Sequence, residues 1–157
     1  YNNTYHILQS PGYVAIFNEM VHDVRFVPLD GRPPIDERIR QWNGDSRGWW
    51  EGDTLVVETA HYRDGTTWRG FPGTRALRAV ERFTRIDAVT IDYRYTVYDD
   101  STYVRPFTVE LPLMAPADYV IYEYACHEGN YSIANVLAGE RALERASREN
   151  AARSGQR

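Results

Sequence analysis

Apolar and polar positions alternate along most of the chain before Asn130, and this alternation sets the expected elements. Tyr5 to Gln9 is short and strand-like, and Ser10-Pro11-Gly12 turns it. Tyr13 to Met20 follows, with Val14, Ile16 and Asn18 on one face and Tyr13, Ala15, Phe17 and Glu19 on the other. Val24 to Leu29 is a third strand, closed by Pro28 and the Asp30-Gly31 turn signal. Trp49-Trp50 turns through Glu51-Gly52-Asp53 into a strand over Thr54 to Thr59. Leu77 to Arg85, Thr90 to Tyr98 and Val104 to Leu111 are three more. The middle one carries the clearest period of two, with Ile91, Tyr93, Tyr95 and Val97 alternating with Asp92, Arg94, Thr96 and Tyr98. Tyr119 to Ala125 is the last expected strand.

Two stretches break the rhythm. Pro33-Pro34 precedes a segment in which Ile35, Ile39 and Trp42 share a helical face, predicting one or two helical turns. His61 to Thr74, with Gly65, Gly70, Pro72 and Gly73, predicts an irregular excursion across a rim. After Gly129-Asn130 the period becomes 3.6, and Ile133, Val136, Leu137, Ala142 and Leu143 predict a helix from about Ser132 to Arg148.

Seven to nine short strands and one terminal helix predict an all-β, antiparallel fold in a single domain over residues 1–157. A lipocalin-like β-barrel is favoured over a two-sheet sandwich, because closure removes strand edges and leaves a cavity. The chain begins at Tyr1, within a strand pattern and without an initiator Met, so an upstream N-terminal segment is expected to be missing.

Charge and composition then exclude several chemistries. The 157 residues hold 18 basic and 22 acidic side chains, a formal charge of −4 with both signs interspersed, which argues against a dedicated nucleic-acid binder. No run approaches the length of a membrane span. Every basic residue is Arg, so Schiff-base and phosphate-loop lysines are excluded. Cys126 is the sole cysteine, which leaves no internal disulfide and no multi-cysteine metal site. The 12 Tyr and 4 Trp against 5 Phe suit an aromatic-lined cavity, and equally a plain β-protein.

Three clusters could carry chemistry. Cys126-His127-Glu128-Gly129-Asn130-Tyr131 lies at the seam before the helix, where backbone N–H groups are unpaired. His127 there can exchange a proton near neutrality and Glu128 can orient it; alternatively Asn130 or Ser132 caps the helix and His127 bonds to backbone. Glu19, His22, Asp23 and Arg25 form the second cluster, at a strand end that resembles a cavity rim. Glu19 and Arg25 share a face if the strand runs straight, and surface salt bridging gives the same letters. In the third, Asp45 and Arg47 stand near Trp42, Trp49 and Trp50. Arg47 could clamp a carboxylate and an indole could stack on a ligand. Trp49 and Trp50 point oppositely, so one of them is expected in the core. His6, His22, His61 and His127 lack helical zinc spacing or close strand spacing; a site assembled from separate strands stays geometrically allowed, but no metal ligands and no cofactor are assigned.

Four stretches carry a resemblance: Tyr1 to Gln9, Gly48-Trp49-Trp50-Glu51-Gly52-Asp53-Thr54-Leu55-Val56-Val57-Glu58-Thr59, Val80 to Arg85, and Tyr122 to Tyr131. Together they resemble a family of uncharacterised, usually exported bacterial proteins from soil genomes and metagenomes. The resemblance implies a periplasmic or extracellular location and transfers no activity.

The leading expectation is a cofactor-independent acid–base enzyme, an isomerase, lyase or hydrolase, acting on a small apolar-aromatic or sugar-like molecule. His127, Glu128, His22 and Glu19 would be catalytic, and Arg47, Asp45, Trp42, Trp49, Trp50, Tyr124 and Asn130 would line the ligand site. The alternatives are a barrel that binds a small molecule without turnover and a structural module whose aromatics face a protein partner. A homo-oligomer is left open.

Overall fold

The computed structural model describes residues 4–122, 124 and 128–154. The chain divides into two compact units, Tyr1–Glu123 and Tyr124–Arg157. In chain order the first holds β1 (Tyr5–Ser10), β2 (Tyr13–Asn18), a 3-10 turn (Met20–His22), β3 (Val24–Pro28), β4 (Asp45–Glu51), β5 (Thr54–Ala60), β6 (Thr67–Trp68), β7 (Phe71–Pro72), β8 (Arg78–Arg85), β9 (Thr90–Tyr98) and β10 (Phe107–Met114). The second holds α1 (Ser132–Ser154).

All strand pairing is antiparallel, in sheets of order β1-β2-β3, β10-β9-β8-β5-β4 and β6-β7. The period of two explains which side chains meet. Register places Gly48, Val57, Glu81, Tyr95 and Val109 in one row across the five-stranded sheet, and Trp50, Leu55, Phe83, Tyr93 and Leu111 in the next but one along each strand. In the three-stranded sheet Ile7, Ile16 and Arg25 form one row. The inward faces of these two sheets share one core, in which Val14, Ile16 and Val27 join Leu55, Val57, Ala79, Tyr93 and Val97. The approach at Gly48 is close enough that a Cβ there would meet Val27 Cγ1 at 2.6 Å and Leu29 Cδ2 at 2.8 Å.

Several expectations need correction. No sheet closes into a barrel: β1 and β3 end one sheet, β4 and β10 end another, and among the described residues no ladder joins them. The segment from Leu29 to Gly44 carries the chain from one edge to the other with no pairing beyond an isolated Gln41–Tyr62 bridge, so the lipocalin-like topology does not form. Pro112 fits β10 as an edge strand, where a missing N–H costs no ladder bond. Residues 35–42 form no helix. Asp36 Oδ1 accepts the Arg38 N–H at 2.9 Å and competes with the helical pattern, while Pro33-Pro34 fixes an extended entry. Residues 119–122 and 124 are not strand. The irregular excursion at 61–74 contains the β6–β7 hairpin, which turns through Arg69 and Gly70, both at positive φ. The helix begins at Ser132 as expected and runs on to Ser154.

Candidate functional site

Two inward-pointing charges meet between the sheets. Arg25 stands on β3 in the row of Ile7 and Ile16, and Glu81 lies at the centre of β8 between buried Ala79 and Phe83. Strand parity turns both inward, so neither can reach water without breaking register. Their pairing is two-pronged: Arg25 Nη1 donates to Glu81 Oε2 at 2.5 Å and Nη2 to Oε1 at 3.0 Å. The side chains are 11% and 2% exposed. Burial works against the Arg25 charge, but the Glu81 carboxylate more than offsets it and holds the guanidinium proton more tightly than usual.

Further hydrogen bonds extend from the pair. Arg25 Nη1 reaches Thr59 Oγ1 at 3.3 Å, and Thr59 in turn shares a 2.9 Å hydrogen bond with Ser46. The Tyr93 hydroxyl donates to Glu81 Oε1 at 2.7 Å and accepts from Arg69 Nε at 3.2 Å. Burial, the neighbouring carboxylate and that hydrogen bond push the Tyr93 phenol well above its ordinary range. A fully connected buried network of this kind fixes geometry.

Aromatic rings enclose it. Trp68 meets Tyr62 and Tyr95 edge-on at centroid separations of 6.0 and 6.3 Å, and Arg25 lies 5.4 Å above the Trp68 ring. Arg69 stands 5.0 Å over Tyr5, 4.9 Å over Tyr93 and 5.4 Å over Tyr95. Trp68 and Arg69 both come from the β6–β7 hairpin, so two residue pairs of ladder position two walls of the cluster. The Trp68 indole is 8% exposed, and among the described residues its buried Nε1 has no hydrogen-bond partner. A donor desolvated without a partner is expensive. Among the described residues the hydroxyl of Tyr62, edge-on to it, is likewise buried without a partner, so the cluster holds more than one open polar atom.

The residues expected from sequence fall elsewhere. Cys126 and His127 lie outside the described residues. Glu128 is exposed in a turn of the second unit, where Asn130 Oδ1 accepts the Ser132 N–H at 3.1 Å, the capping role. Tyr124 belongs to the same unit and is 37% exposed. Glu19 and His22 share one turn in which Val21 and His22 both take positive φ, so the straight-strand parity between Glu19 and Arg25 does not hold. The Tyr119 hydroxyl donates to Glu19 and holds its carboxyl below the usual range, while His22 is exposed.

Asp45 and Arg47 pair at 2.7 Å, and their remaining bonds hold the 29–44 segment. Asp45 Oδ2 accepts the Ile35 N–H, and Arg47 donates to the Pro33 carbonyl. The carboxylate clamp expected of Arg47 is thus already occupied within the chain. Trp42 lies 4.6 Å beneath the Arg63 guanidinium at the surface. Neither Trp49 nor Trp50 is core, since both stand on the edge strand β4 and are 39% and 44% exposed. Trp50 instead lines a shallow depression of about 630 Å³ with Gln9, Asp53 and Arg85.

The interior pair leaves a signal in the sequence. Glu81 sits at inward parity between apolar Ala79 and Phe83, and Arg25 does the same beside Val27. Two opposite charges at inward positions of different strands are a pairing signature. Among the described residues no three of His, Cys, Asp and Glu are grouped to hold a metal ion, and no helix is long and apolar enough to cross a membrane. Comparison with known protein families, curated proteins and solved structures finds no match to this chain.

Proposed function

We propose that this chain is a small-molecule-binding β-domain without turnover, taking a flat, weakly polar molecule against the aromatic cluster around Arg25 and Glu81. The observation that carries the reading is the buried Trp68 Nε1 without a partner. An indole N–H of this kind recruits one hydrogen-bond acceptor, while Tyr62, Tyr95 and the indole face supply the apolar body of the contact. Arg25 and Glu81 consume each other's charge and leave none for proton transfer, which favours binding over acid–base chemistry. The β6–β7 hairpin has only two residue pairs of ladder, so what holds it in place is the packing of Trp68 and Arg69, the contact a ligand would have to rearrange. Resemblance to exported bacterial proteins supports a periplasmic or extracellular setting.

The test uses the four indole N–H resonances of ¹⁵N-labelled protein, with Trp68→Phe identifying the one that matters. Acetophenone, flat and carrying one carbonyl acceptor, should shift the Trp68 resonance saturably and leave those of Trp42, Trp49 and Trp50 in place. Benzene, which lacks the acceptor, should shift it less. Equal drift of all four resonances, or none, would sink the reading.

A further inference from the structure

A second polar site lies away from the aromatic cluster, in a groove of about 380 Å³ lined by Arg40, His61, Arg75, Arg78 and Tyr98, with Glu37, Asp99 and Asp100 also on its wall. From its open donors we propose that this groove binds a small oxyanion, a carboxylate or a phosphate group, between Arg40 and His61.

The argument starts from Arg40. Its Nη1 donates to the Arg75 carbonyl at 3.1 Å, but its Nε is buried without a hydrogen-bond partner, and among the described residues it forms no ion pair. A half-buried guanidinium lacking a counter-charge is destabilising unless an anion completes it. The second open atom is His61 Nδ1, also buried and without a hydrogen-bond partner among the described residues. His61 adopts φ 57°, a left-handed conformation that a non-glycine side chain enters at a cost. The backbone holds it there, because Gln41 N–H donates to the His61 carbonyl and Arg63 N–H donates to the Gln41 carbonyl, at 3.0 Å each. Strained backbone thus places one open nitrogen in the same groove as another.

Among the described residues no acid forms an ion pair with Arg40, and two of those nearby are engaged elsewhere. Asp99 accepts from Thr74 N–H and Oγ1 and from Ser101 N–H, and Asp36, the carboxylate whose field includes His61, is bound two-pronged by Arg38. Arg78 is engaged by Glu58 and by the Tyr98 ring, and Arg75 has only a 3.9 Å approach from exposed Asp64. A planar guanidinium edge plus one imidazole nitrogen, as donor when it carries the proton, matches the oxygens of a carboxylate or phosphate.

The experiment titrates the purified full chain with inorganic phosphate in one arm and succinate in the other, at ionic strength held constant with chloride, and follows binding calorimetrically. Saturable binding of either is expected, and the tighter arm names the oxyanion. Arg40→Gln should weaken it about tenfold, equivalent to about 1.4 kcal/mol. His61→Gly relieves the left-handed strain, so the fold is retained while binding falls by a similar factor. Trp68→Phe should leave anion binding unchanged, so this site and the aromatic cluster fail separately. The proposal is overturned if neither anion saturates up to about 10 mM, well above the range of a specific small-ligand site, or if binding survives both Arg40→Gln and His61→Gly.

Discussion

Arg25 and Arg40 are two partly hidden arginines in the same unit, and they differ in what answers their charge. Arg25 has a two-pronged carboxylate, a threonine hydroxyl and an indole face, all supplied by neighbouring strands. Arg40 has one carbonyl and an unpartnered Nε, and it belongs to a segment with no strand pairing of its own beyond a single bridge from Gln41 to Tyr62. Sheet register delivers partners; an irregular segment does not. A buried charge that the fold completes speaks to architecture, and one that it leaves open speaks to a ligand.

The largest expected effect breaks the completed side of that comparison. Glu81→Gln keeps the shape of the side chain but strands the Arg25 charge between the sheets, and should cost about 3–5 kcal/mol in urea unfolding. Replacing both partners, Arg25→Met with Glu81→Leu, should recover most of that loss, because the penalty belongs to the unpaired charge. If the double variant were no better than Glu81→Gln, hydrogen bonding through Tyr93 and Thr59 would outweigh the ion pair.

Asp99 gives the next effect, at the wall of the groove. Burial pushes its carboxyl up, but the N–H and hydroxyl of Thr74 and the N–H of Ser101 prevail and hold it below the usual carboxylate range. A carboxyl depressed in the folded state stabilises fully above its unfolded value near 3.9 and loses that contribution as pH falls through the lower folded value. Asp99→Asn should therefore cost about 1.5–3 kcal/mol at neutral pH, and its deficit relative to the parent should shrink steadily below about pH 4. A deficit independent of pH would show that shape, and not charge, holds the Thr74 turn.

Gly48→Ala probes the surface on which β3 meets β4. The added methyl would press on Val27 and Leu29, with the Val56 carbonyl at 3.3 Å behind it. Overpacking of that kind costs about 1–3 kcal/mol. An unchanged unfolding midpoint would mean that the two sheets part easily at this edge.

How far these regions could be read from sequence follows the same division. β9 was legible residue for residue, because alternation of Tyr93, Tyr95 and Val97 with polar neighbours leaves one register that buries the apolar face. β10 was placed a few residues early, since Val104 looks like a strand opener yet is fully exposed before Pro106. The helical turns expected at 35–42 rest on spacing alone, which is blind to the Asp36 side chain accepting from the Arg38 N–H. Barrel closure was beyond reach, because strand count does not say whether the last edge finds a partner. The site was least legible. Arg25 and Glu81 are 56 residues apart, and Arg40 and His61 are joined through one isolated bridge, so neither pair leaves a local motif.

The smallest expected effect is the sharpest check on reading charges from a structure. Asp30 and Arg32 form a close exposed pair, and hydrogen bonds from the Arg32 side chain and backbone hold the Asp30 carboxyl at about 2. In the folded chain its carboxyl carbon should accordingly titrate near that value by NMR. By the same sign rule its stabilisation would be present above the unfolded value near 3.9 and lost as pH falls toward about 2. Yet the two residues are separated by Gly31 alone, so the unfolded chain keeps much of the same contact, and only the difference between the two states enters stability. Asp30→Asn should thus leave the urea midpoint at neutral pH where it was, at low and at high salt. A loss approaching that of Asp99→Asn would mean that the pair is built by the fold, through the Tyr13 hydroxyl that also meets Arg32, and that exposed local pairs here behave like interior ones.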